Sequence, residues 1–103
     1  MNARVEKARL YIEQHFAEEV TIHDLGIQSQ LSPFHLIRAF QKEYGVSPHE
    51  YLVQVRVEAA RQLLQKGLPI VQVAHNTGFS DQSHLTRWFK TRLGITPGRY
   101  RKL

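Results

Sequence analysis

Apolar residues recur along this chain at steps of three and four, the spacing of one face of an α-helix. Val5, Ala8, Ile12 and Phe16 form the first such stripe. Thr21 can cap a short helix carrying Ile22, Leu25 and Gly26. Ser32-Pro33 reads as a cap with proline at the first helical position. The helix it opens carries Leu36, Ala39, Phe40 and Tyr44 on one face and stops at Gly45. Ser47-Pro48 opens a long helix, with Leu52, Val55, Ala59, Leu63 and Leu64 expected inward and a stop at Lys66-Gly67. Pro69 starts a short helix with Ile70, Val73 and Ala74 that ends near Gly78. From Asp81 a further helix places Leu85, Trp88, Phe89 and Leu93 inward, with Trp88 expected in the core, and Gly94 ends it. Thr96-Pro97 begins a last turn or two. No strand alternation and no linker interrupts the series, so the pattern predicts an all-α chain of about seven helices joined by short turns.

The series contains an internal repeat. FQKEYGVSPHEY, from Phe40, aligns with FKTRLGITPGRY, from Phe89, 49 residues later. Upstream, Ile22, Leu25, Gly26 and Ser32 align with Ile70, Val73, Ala74 and Ser80 at a separation of 48. The second copy therefore carries one extra residue near Asp81. Each copy is a short helix, a tight turn, a longer helix, and then a glycine followed by a Ser/Thr-Pro helix start. A stacked helical array usually needs three or more repeats. Two copies predict two helix-turn-helix subdomains, over 1–45 and 68–103, with a connecting helix over 46–67. Gly26 and Ala74 are small enough to let the paired helices approach. Gly78 suits the second turn, where Gln30 occupies the matching position of the first.

The second helix of such a motif can enter the DNA major groove and touch bases from its N-terminal part. Helical spacing puts Ser83, Thr86, Arg87 and Lys90 on the outward face of the second copy, and Phe34, Ile37, Arg38 and Gln41 on that of the first. An arginine can bond guanine O6 and N7 together, and short polar side chains reach base edges without a bulky stem. Gln82 can pair with adenine or bond phosphate. Thr86 can offer its methyl to thymine or its hydroxyl to phosphate. Phe34 and Ile37 fit apolar contacts to thymine methyls, or packing against a neighbouring helix. Arg38 and Arg87 fit base contacts or surface ion pairs. Phosphate contacts are expected from helix starts and basic side chains: Thr21, Ser32, His35, Gln41, Ile70, His84, Lys90, Arg99 and Arg101.

Charge sharpens this picture. Residues 1–52 carry five Lys/Arg against seven Asp/Glu, a net −2. Residues 53–103 carry nine against two, a net +7. The basic half suits a polyanion. The 103 residues include no cysteine, so disulfides and thiolate metal sites are excluded. The six histidines form no metal-binding pair with a carboxylate between them, and no nucleophile, phosphate-cradling glycine loop or paired-carboxylate motif is present. The chain therefore reads as a non-enzyme without cofactor or metal. No apolar run suggests a membrane span or signal peptide, which points to the cytoplasm. A protein-interaction module is the competing class. RNA fits less well, because its deep, narrow major groove admits no reading helix.

The stretch LPIVQVAHNTGFSDQSHLTRWFKTRLGITPGRYR resembles the C-terminal signature of AraC/XylS-type bacterial transcription regulators. The matching elements are Ile70, Val73, Ala74, Gly78-Phe79-Ser80-Asp81, Phe89-Lys90, Gly94, Pro97 and Tyr100-Arg101, and LSPFHLIRAFQKEYGVSPHEYL matches the upstream half. The resemblance covers nearly the whole chain. It implies two recognition helices entering adjacent major-groove segments on one face of double-stranded DNA. It implies readout by Phe34, Ile37, Arg38, Gln82, Ser83, Thr86 and Arg87. It further implies a sensing or dimerisation domain outside this chain and, commonly, activation through RNA polymerase. Three positions depart from the usual pattern: Gly26 for alanine, Gln30 for the turn glycine, and Leu85 for an aromatic.

Overall fold

A computed structural model describes residues 2–103. Among them are seven helices and no strand: α1 (Ala3–His15), α2 (Ile22–Ser29), α3 (Pro33–Tyr44), α4 (Pro48–Gln65), α5 (Ile70–Asn76), α6 (Gln82–Leu93) and α7 (Pro97–Arg101). The boundaries follow the expected caps. Thr21 and Asp24 form a reciprocal capping box at α2, and Ser32 caps α3 ahead of Pro33. Ser47 Oγ accepts the Glu50 N–H at the start of α4, and Thr96 caps α7. Gly45 and Gly94 end the two longer helices of the repeat in left-handed conformations. Proline starts α3, α4 and α7, but Pro69 sits one residue before α5 and gives it no side-chain cap.

Contacts divide the chain into two compact units, residues 1–52 and 53–103. The division falls inside α4, so the segment expected as a connector is shared between them. In the first unit Val5, Ala8, Ile12, Leu25, Leu36, Phe40 and Leu52 are buried. In the second, Val53, Val57, Ala60, Leu64, Val73, Ala74, Phe79, Leu85 and Phe89 form one cluster.

This sharing corrects the expected face of α4. Val55, Ala59 and Leu63 are only half-buried, while Val53, Val57 and Ala60 join Leu64 inside. A single stripe cannot describe a helix whose first turn closes one core and whose remainder builds another. Two residues of α6 are corrected as well. Trp88 is half-buried at the margin of the cluster, and Leu93, at the helix end, is 44% exposed.

The shared helix extends the repeat beyond what the sequence pattern suggested. Val5-Glu6-Lys7-Ala8-Arg9 of α1 corresponds to Val57-Glu58-Ala59-Ala60-Arg61 of α4, 52 residues later. Buried Val5, Ala8 and Ile12 match buried Val57, Ala60 and Leu64. The ion pairs match too. Arg9 lies 3.9 Å from Glu6, and Arg61 lies 2.6 Å from Glu58. Each unit then closes on a tyrosine. Tyr51 stands edge-on to Phe40 at 5.7 Å and its hydroxyl donates to Glu13. Tyr100 stands edge-on to Phe89 at 5.6 Å, and its hydroxyl accepts from Arg61 and Gln65. The Tyr44 and Tyr51 hydroxyls, with Glu13, hold the Arg9 proton more firmly than usual, and Glu58 and Tyr100 do the same for Arg61. Both arginines tie the closing turn to the first helix of its unit.

Candidate nucleic-acid interface

The turn between the short and long helices is built the same way in both units. Gln30 has φ 59° and Gly78, its counterpart, φ 90°. The Gly26 carbonyl accepts the Leu31 N–H at 3.3 Å, and the Ala74 carbonyl accepts the Phe79 N–H at 3.0 Å. Two hydroxyls are buried at equivalent places. Ser29 Oγ donates to the Gly26 carbonyl, and Thr77 Oγ1 donates to the Val73 carbonyl at 2.7 Å. Each satisfies itself on the preceding turn of helix, which removes the cost of burying a polar group. The tight contact at Gly26 is with the turn itself: a Cβ there would lie 3.2 Å from the Leu31 oxygen.

These turns aim α3 and α6. The buried sides of the two helices are Leu36 with Phe40, and Leu85 with Phe89. The opposite side of α3 exposes Phe34, Ile37, Arg38 and Gln41. Phe34 is 64% exposed and Ile37 41%, so neither packs into a core. Among the described residues Arg38 forms no ion pair; its guanidinium lies 5.3 Å from the centre of the Phe34 ring. On α6, Gln82, Ser83, Arg87 and Lys90 are exposed and Thr86 is half-buried. Ser80, Asp81, Ser83, His84 and Arg87 line an open depression of about 310 Å³ at the mouth of α6.

The extra residue of the second copy has a definite role. In the first unit Ser32 does two things: its Oγ accepts the His35 N–H at 3.3 Å and meets His35 Nδ1 at 2.8 Å. In the second unit these are divided. Asp81 Oδ1 accepts the His84 N–H at 2.8 Å, and Ser80 Oγ meets His84 Nδ1 at 3.2 Å. His84 is further fixed by Trp88, whose indole N–H donates to Nε2 at 3.1 Å. The Ser80 backbone N–H also donates to His84 Nδ1 at 3.2 Å. Alanine replaces the tryptophan in α3, at Ala39, and His35 stays exposed.

The remaining sequence candidates lie apart from these helices. Thr21 is half-buried as the α2 cap. Its amide and hydroxyl hold the Asp24 carboxyl below the usual carboxylate range. Ile70 opens α5 and packs, half-buried, on the second cluster. Arg99 is exposed on α7. Arg101 is half-buried, with Nε and Nη2 withdrawn from solvent and without a hydrogen-bond partner. No group of three or more His, Asp or Glu among the described residues could hold a metal. No helix there is long and apolar enough to cross a membrane.

Residues 25–103 match the model of a helix-turn-helix domain family. A helix-turn-helix-type transcriptional regulator of Bacillus subtilis, YbfI, is 42% identical over 75 residues, covering 73% of this chain and 27% of the relative. A transcriptional regulator of Chromobacterium violaceum described by its AraC-type DNA-binding domain superposes with a TM-score of 0.88 at 29% identity, over 96% of this chain and 89% of that one. The chain belongs to the AraC/XylS-type helix-turn-helix family. The AraC-type fold is shared with the DNA-binding domain of AdpA, solved in complex with a target DNA: TM-score 0.90, 25% identity, 95% of this chain and 89% of that one. This AraC-type chain spans from 27% to 44% of the length of the curated relatives compared.

Proposed function

We propose that this chain is the DNA-binding portion of a longer transcription regulator and reads double-stranded DNA through α3 and α6, each in its own segment of major groove. The observation that carries this reading is the pair of exposed arginines at matching positions, Arg38 and Arg87, on the two helices that follow the repeated turns. Neither makes an ion pair among the described residues. A guanidinium with no carboxylate partner keeps its N–H donors for guanine O6 and N7. On α6, Gln82, Ser83 and Thr86 complete the base-reading set. On α3, Phe34 and Ile37 do.

Phosphate contacts set register around these faces. We assign them to Ser32, His35 and Gln41 beside α3, to His84 and Lys90 beside α6, to Thr21 and Ile70 at the starts of the short helices, and to Arg99 and Arg101 at α7. The Trp88 bond leaves His84 less free than His35, so of the two histidines His35 is the stronger contact. The same reading gives the longer protein a sensing or dimerisation domain outside these residues and a role in the cytoplasm as an activator that touches RNA polymerase. It assigns the chain no catalysis and no cofactor.

Footprinting on a bound duplex tests the assignment. Protection of two major-groove segments on one DNA face, with loss of one segment in Arg38→Ala and of the other in Arg87→Ala, is the expected result. Protection unchanged in both variants would overturn it, and absence of any protection would favour a protein-interaction module.

A further inference from the structure

The outward faces of α3 and α6 are chemically unlike. Where α6 presents Ser83 and Thr86, the corresponding positions of α3 present Phe34 and Ile37. Both apolar side chains are well exposed, and both lie within one turn of Arg38. An exposed phenyl ring and a sec-butyl group on a reading helix have one apolar counterpart in the major groove. That counterpart is the methyl at C5 of a pyrimidine. The patch is continuous with the reading face proposed above, and Arg38 beside it complements the acidic groove.

The Phe34 ring also does something for Arg38. With the guanidinium held above the ring, the planar fork is turned before DNA arrives, and less side-chain freedom is lost on binding. A methyl seated on the same patch would lie next to the base that the fork addresses.

We infer that the first unit specifies its DNA segment by C5-methyl groups, through Phe34 and Ile37, with Arg38 on an adjoining guanine. The inference rests on the major-groove reading of α3. Thymine and 5-methylcytosine carry the same methyl in the same place. The first segment should therefore be read more tightly when a cytosine there is methylated, whereas the second segment depends more on hydrogen bonding. That makes cytosine methylation a modifier of binding at one half of the site only.

The test uses anisotropy titration of the whole chain on its selected duplex. Each thymine is replaced in turn by deoxyuridine, which removes the methyl and keeps every hydrogen-bonding group. A buried methyl-sized group is worth about 0.8 kcal/mol, or about fourfold in affinity. One or two thymines of the first segment should each show a loss of about fourfold. The loss should vanish in Phe34→Ala or Ile37→Ala, whose exposed positions leave the melting temperature unchanged. At a contacted position carrying a C·G pair, methylation of that cytosine should strengthen binding by a similar factor. Deoxyuridine losses that persist undiminished in both variants would overturn the inference, as would specific binding indifferent to every methyl in the first segment. Absence of specific binding to any duplex would instead overturn the major-groove reading beneath it. A deoxyuridine effect without a 5-methylcytosine effect would confine the recognition to thymine and refute the methylation response.

Discussion

Replacing Arg87 by alanine separates base reading from simple charge. The side chain is exposed and makes no ion pair among the described residues, so truncation breaks no ion pair there. Alanine is also a good helix former, and surface changes of this kind stay within about 0.5 kcal/mol. The melting temperature should therefore hold. Binding should not. A bidentate arginine–guanine pair is worth about 1–3 kcal/mol, which converts to a loss of about 5- to 150-fold on the preferred duplex. The assay is a competition series in which each base pair of the site is changed in turn, for the parent and for the variant. The parent should discriminate sharply at one guanine, and the variant should be nearly indifferent there while keeping its preferences elsewhere. A uniform loss on specific and random DNA alike would mean that Arg87 serves phosphate. A fall in melting temperature would mean that it has an internal role, and either result refutes the argument.

Four further outcomes are expected. Lys90→Ala should weaken binding to all sequences and reduce the slope of log affinity against log salt by about one; an unchanged slope would exclude a phosphate contact. Gln30→Gly should stabilise the first unit by up to about 1 kcal/mol in urea melts, since a left-handed non-glycine residue costs about 1–2 kcal/mol and glycine returns roughly 0.5–1 through the unfolded chain. Destabilisation would show that the turn is not strained. The lowered Asp24 pKa means that the α2 capping box contributes fully above the ordinary carboxylate range and is lost as pH falls through the lowered value. Acid melts below about pH 4 should accordingly steepen in the parent and flatten in Asp24→Asn, and identical slopes would contradict the linkage. Thr77→Val should destabilise the second unit, because its hydroxyl is buried against the Val73 carbonyl; an unaltered melt would show the bond to be dispensable.

Much of this fold was legible because its punctuation is chemical. Thr21, Ser32-Pro33, Ser47-Pro48 and Thr96-Pro97 announce helix starts, and Gly45 and Gly94 announce ends, by mechanisms that act within a few residues. The face of α3 was equally legible: Leu36 and Phe40 are inside, and Phe34, Ile37 and Arg38 are outside, as helical spacing requires. The long helix was not. Its apolar residues serve two cores in succession, so Val55 and Leu63 looked as suitable as Val53 and Val57 until the partners were known. The match between α1 and α4 was hidden because the separation there is 52 rather than 48 or 49. Trp88 misled through its size. Its indole N–H needs an acceptor, and His84 supplies one at the edge of the core rather than within it. The buried hydroxyls of Ser29 and Thr77 carry no pattern of their own, and only the shared turn geometry gives them a reason.

The central claim is that both units read DNA, and selection of bound duplexes from a random pool at about physiological salt tests it most directly. The account predicts two enriched boxes about one helical turn, roughly 10 bp, apart. It predicts thymines in the box read by α3 and a guanine in each. A single enriched box would contradict the two-reader model. Absence of enrichment, with binding that fades steeply as salt rises, would leave only nonspecific attraction between a basic domain and a polyanion.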